Sequence, residues 1–75
     1  MTAVLDAQGL KCPLPVLRAR KAIRDVAPGE SLTVLATDPA APRDFASFCE
    51  QTGHVLVSTS EADGVHTIVL RRKAS

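Results

Sequence analysis

Cys12-Pro13-Leu14-Pro15 sets a thiol directly before an amphipathic helical pattern, six residues after Asp6. At a helix start, unpaired backbone N–H groups and the positive end of the macrodipole favour an anion. The thiolate is the nucleophilic form of cysteine, and helix N-termini lower thiol pKa values. Pro13 suits the first helical position, where its fixed φ is helical and its missing N–H would have been orphaned anyway. Pro15 removes a second donor, which leaves the N–H groups of Leu14 and Val16 to contact the sulfur. Lys11 precedes the thiol and adds a cation in sequence. The tetrad therefore predicts a rigid, presented, ionisable cysteine. The competing reading is a small apolar residue packed at a helix start.

The second thiol reads differently. Cys49 lies in an apolar stripe with Ala41, Phe45, Phe48 and Thr52, the spacing of a buried helix face. A zinc site built from Cys12, Cys49, His54 and His66 is set aside, since no C-x₂₋₄-C pairing exists and Cys49 belongs to the expected core. His54 follows Gly53 at a helix end, where a cation complements the dipole. His66 is a strand residue with no evident partner. Arg18, Arg20, Lys21 and Arg24 are expected on the solvent side of the first helix, and Arg71-Arg72-Lys73 forms a basic end. Such runs are usually solvated faces. RNA recognition would need stacking aromatics, and the chain has two Phe and neither Trp nor Tyr. Leu14, Leu17 and Lys21 fall on the flank beside Cys12, away from the Val16/Ile23 stripe. With Arg18 they outline a docking patch for an acidic protein partner.

The elements that must position these residues are short. Val4-Leu5 opens a strand, and Gly9 turns the chain into the tetrad. Val16, Ala19, Ile23 and Val26 recur at helical spacing until Pro28-Gly29 stops the helix. Ser31 to Thr37 alternates as a strand. A second helix begins near Pro42, with Gly53 at its C′ position. His54 to Glu61 and Val65 to Arg72 form a hairpin around Ala62-Asp63-Gly64. The order β-α-β-α-β-β predicts an α+β fold: a two-layer α/β sandwich with a four-stranded mixed sheet and two helices on one face. Residues 1–75 form a single domain, too small for a deep cavity. The sheet's outer face is expected to be partly open and to carry some apolar residues. A net charge of +1 gives no general pull toward nucleic acid or membrane, and no apolar run reaches the length of a span. The first residues lack the basic-then-apolar pattern of a secretory signal. Two cysteines without such a signal predict free thiols in a cytoplasmic setting.

The sequence resembles the TusA/SirA family of small sulfur-carrier proteins. The likeness runs through Leu5 to Pro15 (Leu-Asp-Ala-Gln-Gly-Leu-Lys-Cys-Pro-Leu-Pro), Arg20-Lys21, Pro28-Gly29-Glu30 and Thr37-Asp38-Pro39. It continues through Arg43-Asp44, Phe48-Cys49, Gly53-His54 and the basic end. The resemblance implies a sulfurtransferase component that takes a sulfane sulfur as a persulfide on Cys12, supported by Lys11, Pro13, Leu14 and Pro15. It implies a cysteine desulfurase or rhodanese-like donor and a downstream acceptor protein. It implies no cofactor beyond the covalent sulfur, no metal, no membrane and no direct nucleic-acid contact, with the monomer as the expected state. Transfer RNA 2-thiouridine, molybdenum-cofactor assembly and sulfur-compound oxidation are the pathways such carriers serve. Leu14 departs from the acidic residue common between the prolines of the tRNA-thiolation members. That substitution removes a charge beside the sulfur. Two other classes stand beside the carrier: a nucleic-acid-binding module using the basic helix, and a thiol-redox regulator forming disulfides through Cys12.

Overall fold

A computed structural model of the chain describes residues 2–74. Strand β1 (Thr2–Ala7) leads into helix α1 (Leu14–Ala22), which tightens into a 3₁₀ turn over Ile23–Asp25. Then follow β2 (Ser31–Ala36), α2 (Ala41–Thr52), β3 (Val55–Ala62) and β4 (Val65–Arg71). The sheet order is β1-β2-β4-β3, with β1 parallel to β2 and β4 antiparallel to both neighbours. The expected α+β sandwich is therefore the fold. The first helix differs in detail, since the α-helix ends at Ala22 and only the 3₁₀ turn carries Ile23 into the core.

One apolar layer explains the architecture. Leu32, Val34 and Ala36 of β2 alternate inward and stand opposite Leu70, Ile68 and His66 of β4. They share a single core with Ala19 and Ile23 from the first helical segment and Ala41, Phe45, Phe48 and Cys49 from α2. Both helices thus cover one face, as the sheet's period-two alternation requires. Phe45 is fully buried and meets Phe48 edge to face, with ring centroids 6.4 Å apart.

The outer face carries Val4, Thr33 and Val69 in one cross-strand row, with Ser58 of β3 opposite Val69. Val4 is exposed, so this face mixes apolar and polar groups as expected. A register shift between Leu56 and Ser58 leaves Val57 exposed on β3 and bends an edge that would otherwise invite pairing.

Turn chemistry closes the frame. Asp63 and Gly64 both have positive φ, 52° and 81°, the type I′ requirement of a two-residue hairpin. Gly53 sits at φ 86° and donates its N–H to the Cys49 carbonyl at 2.9 Å, ending α2 in a left-handed cap. Space around Gly53 would admit a methyl group, whose nearest neighbour is Lys73 Cδ at 3.6 Å. Gly53→Ala should therefore cost only the left-handed backbone term, about 1–2 kcal/mol. The thermal midpoint should fall by several degrees in circular dichroism, and an unchanged midpoint would show that the cap relaxes.

Candidate functional site around Cys12

The tetrad begins on a loop that other segments hold in place. Gly9 N–H donates to Thr37 Oγ1 at 2.9 Å, and Cys12 N–H donates to Asp38 Oδ2 at 2.5 Å. The second Asp38 oxygen accepts from Ala40 N–H at 3.1 Å, and the Asp38 carbonyl accepts from Ala41 N–H at 3.0 Å. One aspartate thus ties the thiol's backbone to the entry of α2. Leu10 adds an apolar anchor against the core. Pro15, in the first turn of α1, is buried and seats the helix start on the core. The Cys12–Pro13 peptide is cis.

This geometry corrects two expectations about the helix start. Pro13 is the residue before the helix, at φ −98° and ψ 18°, and Leu14 is the first helical residue. The Leu14 N–H is spent on the Lys11 carbonyl at 2.8 Å, and the Pro13 carbonyl accepts from Leu17 N–H at 3.1 Å. Of the two donors expected to contact the sulfur, Leu14 N–H is therefore engaged in a turn.

Electrostatics correct a third expectation. Cys12 is exposed, and its pKa is raised rather than lowered. The first cause is a hydrogen bond from the thiol to the Asp44 carboxylate, which stabilises the protonated form. Partial loss of water and the charges of Asp44 and Asp38 act in the same direction, and Arg43 opposes them. The cation acting on the thiol is Arg43 of α2, not the adjacent Lys11. The ligand atoms of Cys12, Asp38 and Asp44 all lie within 4.8 Å of one another. Each acid already has a partner here: Asp38 accepts two N–H groups, and Asp44 accepts the thiol. Sequence reasoning missed both acids as site residues. Their only signal was membership of Thr37-Asp38-Pro39 and Arg43-Asp44 among the segments carrying the resemblance.

Other sequence-predicted residues fall where expected. Leu14 and Leu17 are 45% and 51% exposed on the helix that follows the thiol, and Arg18 and Lys21 are exposed on the same helix. Lys11 and Cys12 line an open cleft of about 460 Å³ with Gly9, Leu10, Thr37, Asp38 and Pro39. A smaller one of about 190 Å³ runs from Cys12 and Asp44 between the helices to Arg20, Phe48 and Gln51. Cys49 is buried, and burial pushes its thiol pKa up.

The basic end and His54 need correction. Arg72 Nη1 donates to the Val26 carbonyl at 2.7 Å and the Arg24 carbonyl at 3.2 Å, so it closes the end of the 3₁₀ turn. Lys73 Nζ donates to the Thr52 carbonyl at 3.1 Å and caps α2. His54 accepts the Lys73 N–H at Nδ1, at 3.1 Å, which requires the neutral ring. Its pKa is lowered, first by burial and then by Lys73 and Arg72. The dipole-complementing cation expected at His54 is supplied by Lys73 instead. Arg20 is also more than a solvated charge, since its guanidinium carbon lies 5.3 Å from the Phe48 ring centroid.

No helix among the described residues is long and apolar enough to cross a membrane. Comparison with known proteins places this geometry. The family model described as "Sulfurtransferase TusA" matches residues 3–72. A protein of Neisseria meningitidis serogroup A, described as a candidate sulfur carrier protein, is 61% identical over 92% of this chain and 93% of its own length. The sulfur carrier protein TusA of Pseudomonas aeruginosa is 47% identical, covering 96% of this chain and 91% of that protein. A crystal structure of a SirA-like protein from Desulfitobacterium hafniense superposes with a TM-score of 0.82 at 29% identity, covering 97% of this chain and 99% of that one. With the tetrad, the β-α-β-α-β-β order and a match over nearly the whole length, the chain belongs to the TusA family of sulfur carrier proteins.

Proposed function

We propose that this protein relays a sulfane sulfur as a persulfide on Cys12. The observation that carries the reading is an exposed thiol on a loop pinned by hydrogen bonds, open to a partner rather than enclosed in a cavity. A relay must be attacked and must attack from outside, so presentation matters more than a pocket.

In the loading step, Cys12 reacts as the thiolate, its proton released to solvent, and its sulfur attacks the outer sulfur of a donor cysteine persulfide. The donor S–S bond breaks, the donor leaves as a thiolate, and the Cys12–S–SH group forms. Unloading repeats the exchange: an acceptor thiolate takes the outer sulfur and Cys12 departs as the leaving thiolate. Neither step needs an oxidant or reductant, because sulfane sulfur passes between thiols of equal oxidation state. The donors that fit are a cysteine desulfurase or a rhodanese-like protein, and the acceptor is a further protein thiol. Free thiols fit a reducing cytoplasm.

Leu14, Leu17, Arg18 and Lys21 form the contact surface for these partners. Two half-exposed leucines on the helix that follows the thiol supply apolar area, and the cations set orientation and encounter rate. Leu14→Glu is expected to keep the fold, because the side chain is already solvated, while changing transfer with one partner more than with another. Equal rates with a donor and an acceptor would remove Leu14 from the contact surface.

The reading is tested by incubating the protein with a cysteine desulfurase and free cysteine, then measuring intact mass before and after reduction. A reducible gain of one sulfur atom supports it. No gain with that donor, nor with a rhodanese and thiosulfate, would sink it.

A further inference from the structure

A third cleft, of about 420 Å³, opens where the helical segments end, and it shares Arg20, Phe48 and Gln51 with the 190 Å³ cleft that reaches Cys12. Arg20, Arg24, Arg72 and Lys73 line it together with His54, Gln51 and Phe48, and none of its lining residues is acidic. Four cations around one concavity repel each other, and the field is felt: Lys73 and Arg72 both help depress the His54 pKa. Helix-end carbonyls offset part of this charge, since Arg72 bonds to Arg24 and Val26 and Lys73 bonds to Thr52. Those bonds use only some of the donors. Arg72 Nη1 is engaged, which leaves Nε and Nη2, and Lys73 Nζ spends one of its three N–H bonds.

The same bonds hold Arg72 and Lys73 still. A guanidinium fixed by two carbonyls loses little side-chain freedom when an anion arrives, and such preorganisation favours binding. Arg20 is likewise set against the Phe48 ring. His54 adds a neutral donor, because Nδ1 accepts from Lys73 and the proton sits on Nε2. Donors therefore reach the cleft from α1, from the 3₁₀ turn and from the chain beyond β4. That spread suits a tetrahedral group with several oxygens better than a planar carboxylate, which a single arginine fork satisfies. Phe48 is buried and already covered by Arg20, and the His54 ring packs against Phe48 with centroids 5.8 Å apart, so the cleft presents no open aromatic platform.

We propose that this cleft binds the phosphate groups of a phosphate-bearing ligand, through Arg20, Arg24, Arg72, Lys73 and His54. Recognition is of the phosphates and not of a base. No residue of the tetrad lines this cleft, so binding there does not require sulfur on Cys12.

Titrating the isotopically labelled protein with pyrophosphate, ATP or adenosine, at constant ionic strength, reads this by amide NMR. Saturable shifts are expected at Gln51, Thr52, His54 and Lys73 with pyrophosphate and ATP, and none with adenosine. Arg24→Gln should weaken pyrophosphate about tenfold, the size of one charge-assisted hydrogen bond. Lys11→Gln, outside the cleft, should leave affinity unchanged, as should Cys12→Ala. The proposal is overturned by non-saturating shifts, by Arg24→Gln binding like the wild type, or by a penta-glutamate peptide binding as tightly as pyrophosphate. Binding of tRNA without any response to pyrophosphate would also overturn it, in favour of an extended nucleic-acid surface.

Discussion

Cys12→Ala should abolish sulfur loading altogether, while Cys49→Ala should load like the wild type. The two thiols differ in the property that a relay needs. Cys12 is exposed, whereas Cys49 is 5% exposed in a helix stripe between Phe45 and Phe48 and the sheet. A donor persulfide on another protein can reach the first sulfur and not the second. Alanine at position 12 keeps the backbone N–H that bonds to Asp38, so the loop should hold and the fold should survive. Amide NMR spectra of Cys12→Ala should overlay on those of the wild type beyond the loop itself. Intact mass after incubation with the donor then separates the cases: one reducible sulfur on the wild type and on Cys49→Ala, none on Cys12→Ala. Loading of Cys12→Ala would mean that Cys49 becomes accessible by local opening, and the carrier assignment would move to it.

How much of this was legible in the sequence depends on how far each interaction reaches along the chain. Ala41, Phe45, Phe48, Cys49 and Thr52 read as one stripe because helical periodicity is local; the first four are buried and Thr52 is half-buried. Asp63-Gly64 read as a hairpin turn because the positive φ values it needs are a property of those residues. The mixed sheet followed from the order of elements and the handedness of crossovers. The thiol's surroundings did not follow. In the sequence, the neighbours of Cys12 are a helix start and Lys11. The groups that act on it come from the β2–α2 connection and the first turn of α2, which only the folded chain brings near. The basic end failed for the same reason: Arg72 and Lys73 looked free because the carbonyls they cap, Val26 and Thr52, lie far away in sequence. His54 was placed correctly at the end of α2, but its charge state depended on Lys73 folding back onto it.

The acids around Cys12 shape when it reacts. A thiol with its pKa raised by Asp44 is mostly protonated at neutral pH, which slows its oxidation and its attack on stray electrophiles. Asp44→Asn should release that hold, because the amide carries no charge to oppose ionisation. The midpoint of alkylation by iodoacetamide against pH should then move down from the wild-type value. Reactivity at neutral pH should rise by less than the thiolate population does, since a more acidic thiolate is a weaker nucleophile. With a Brønsted slope of about 0.4–0.5, each unit of pKa gives roughly a threefold net gain. Asp38→Asn should move the midpoint the same way but less, because Asp38 acts on the sulfur through charge alone and its amide oxygen can still accept the Cys12 N–H. Arg43→Gln should move it upward, because Arg43 lowers the thiol's pKa. Iodoacetamide is neutral, so at one ionic strength these shifts read the thiol itself rather than attraction of the reagent, and the signs expected for Asp44→Asn and Arg43→Gln are opposite. An unchanged midpoint in Asp44→Asn would place the thiol outside the carboxylate's reach and would remove Asp44 as the group that holds the proton on Cys12.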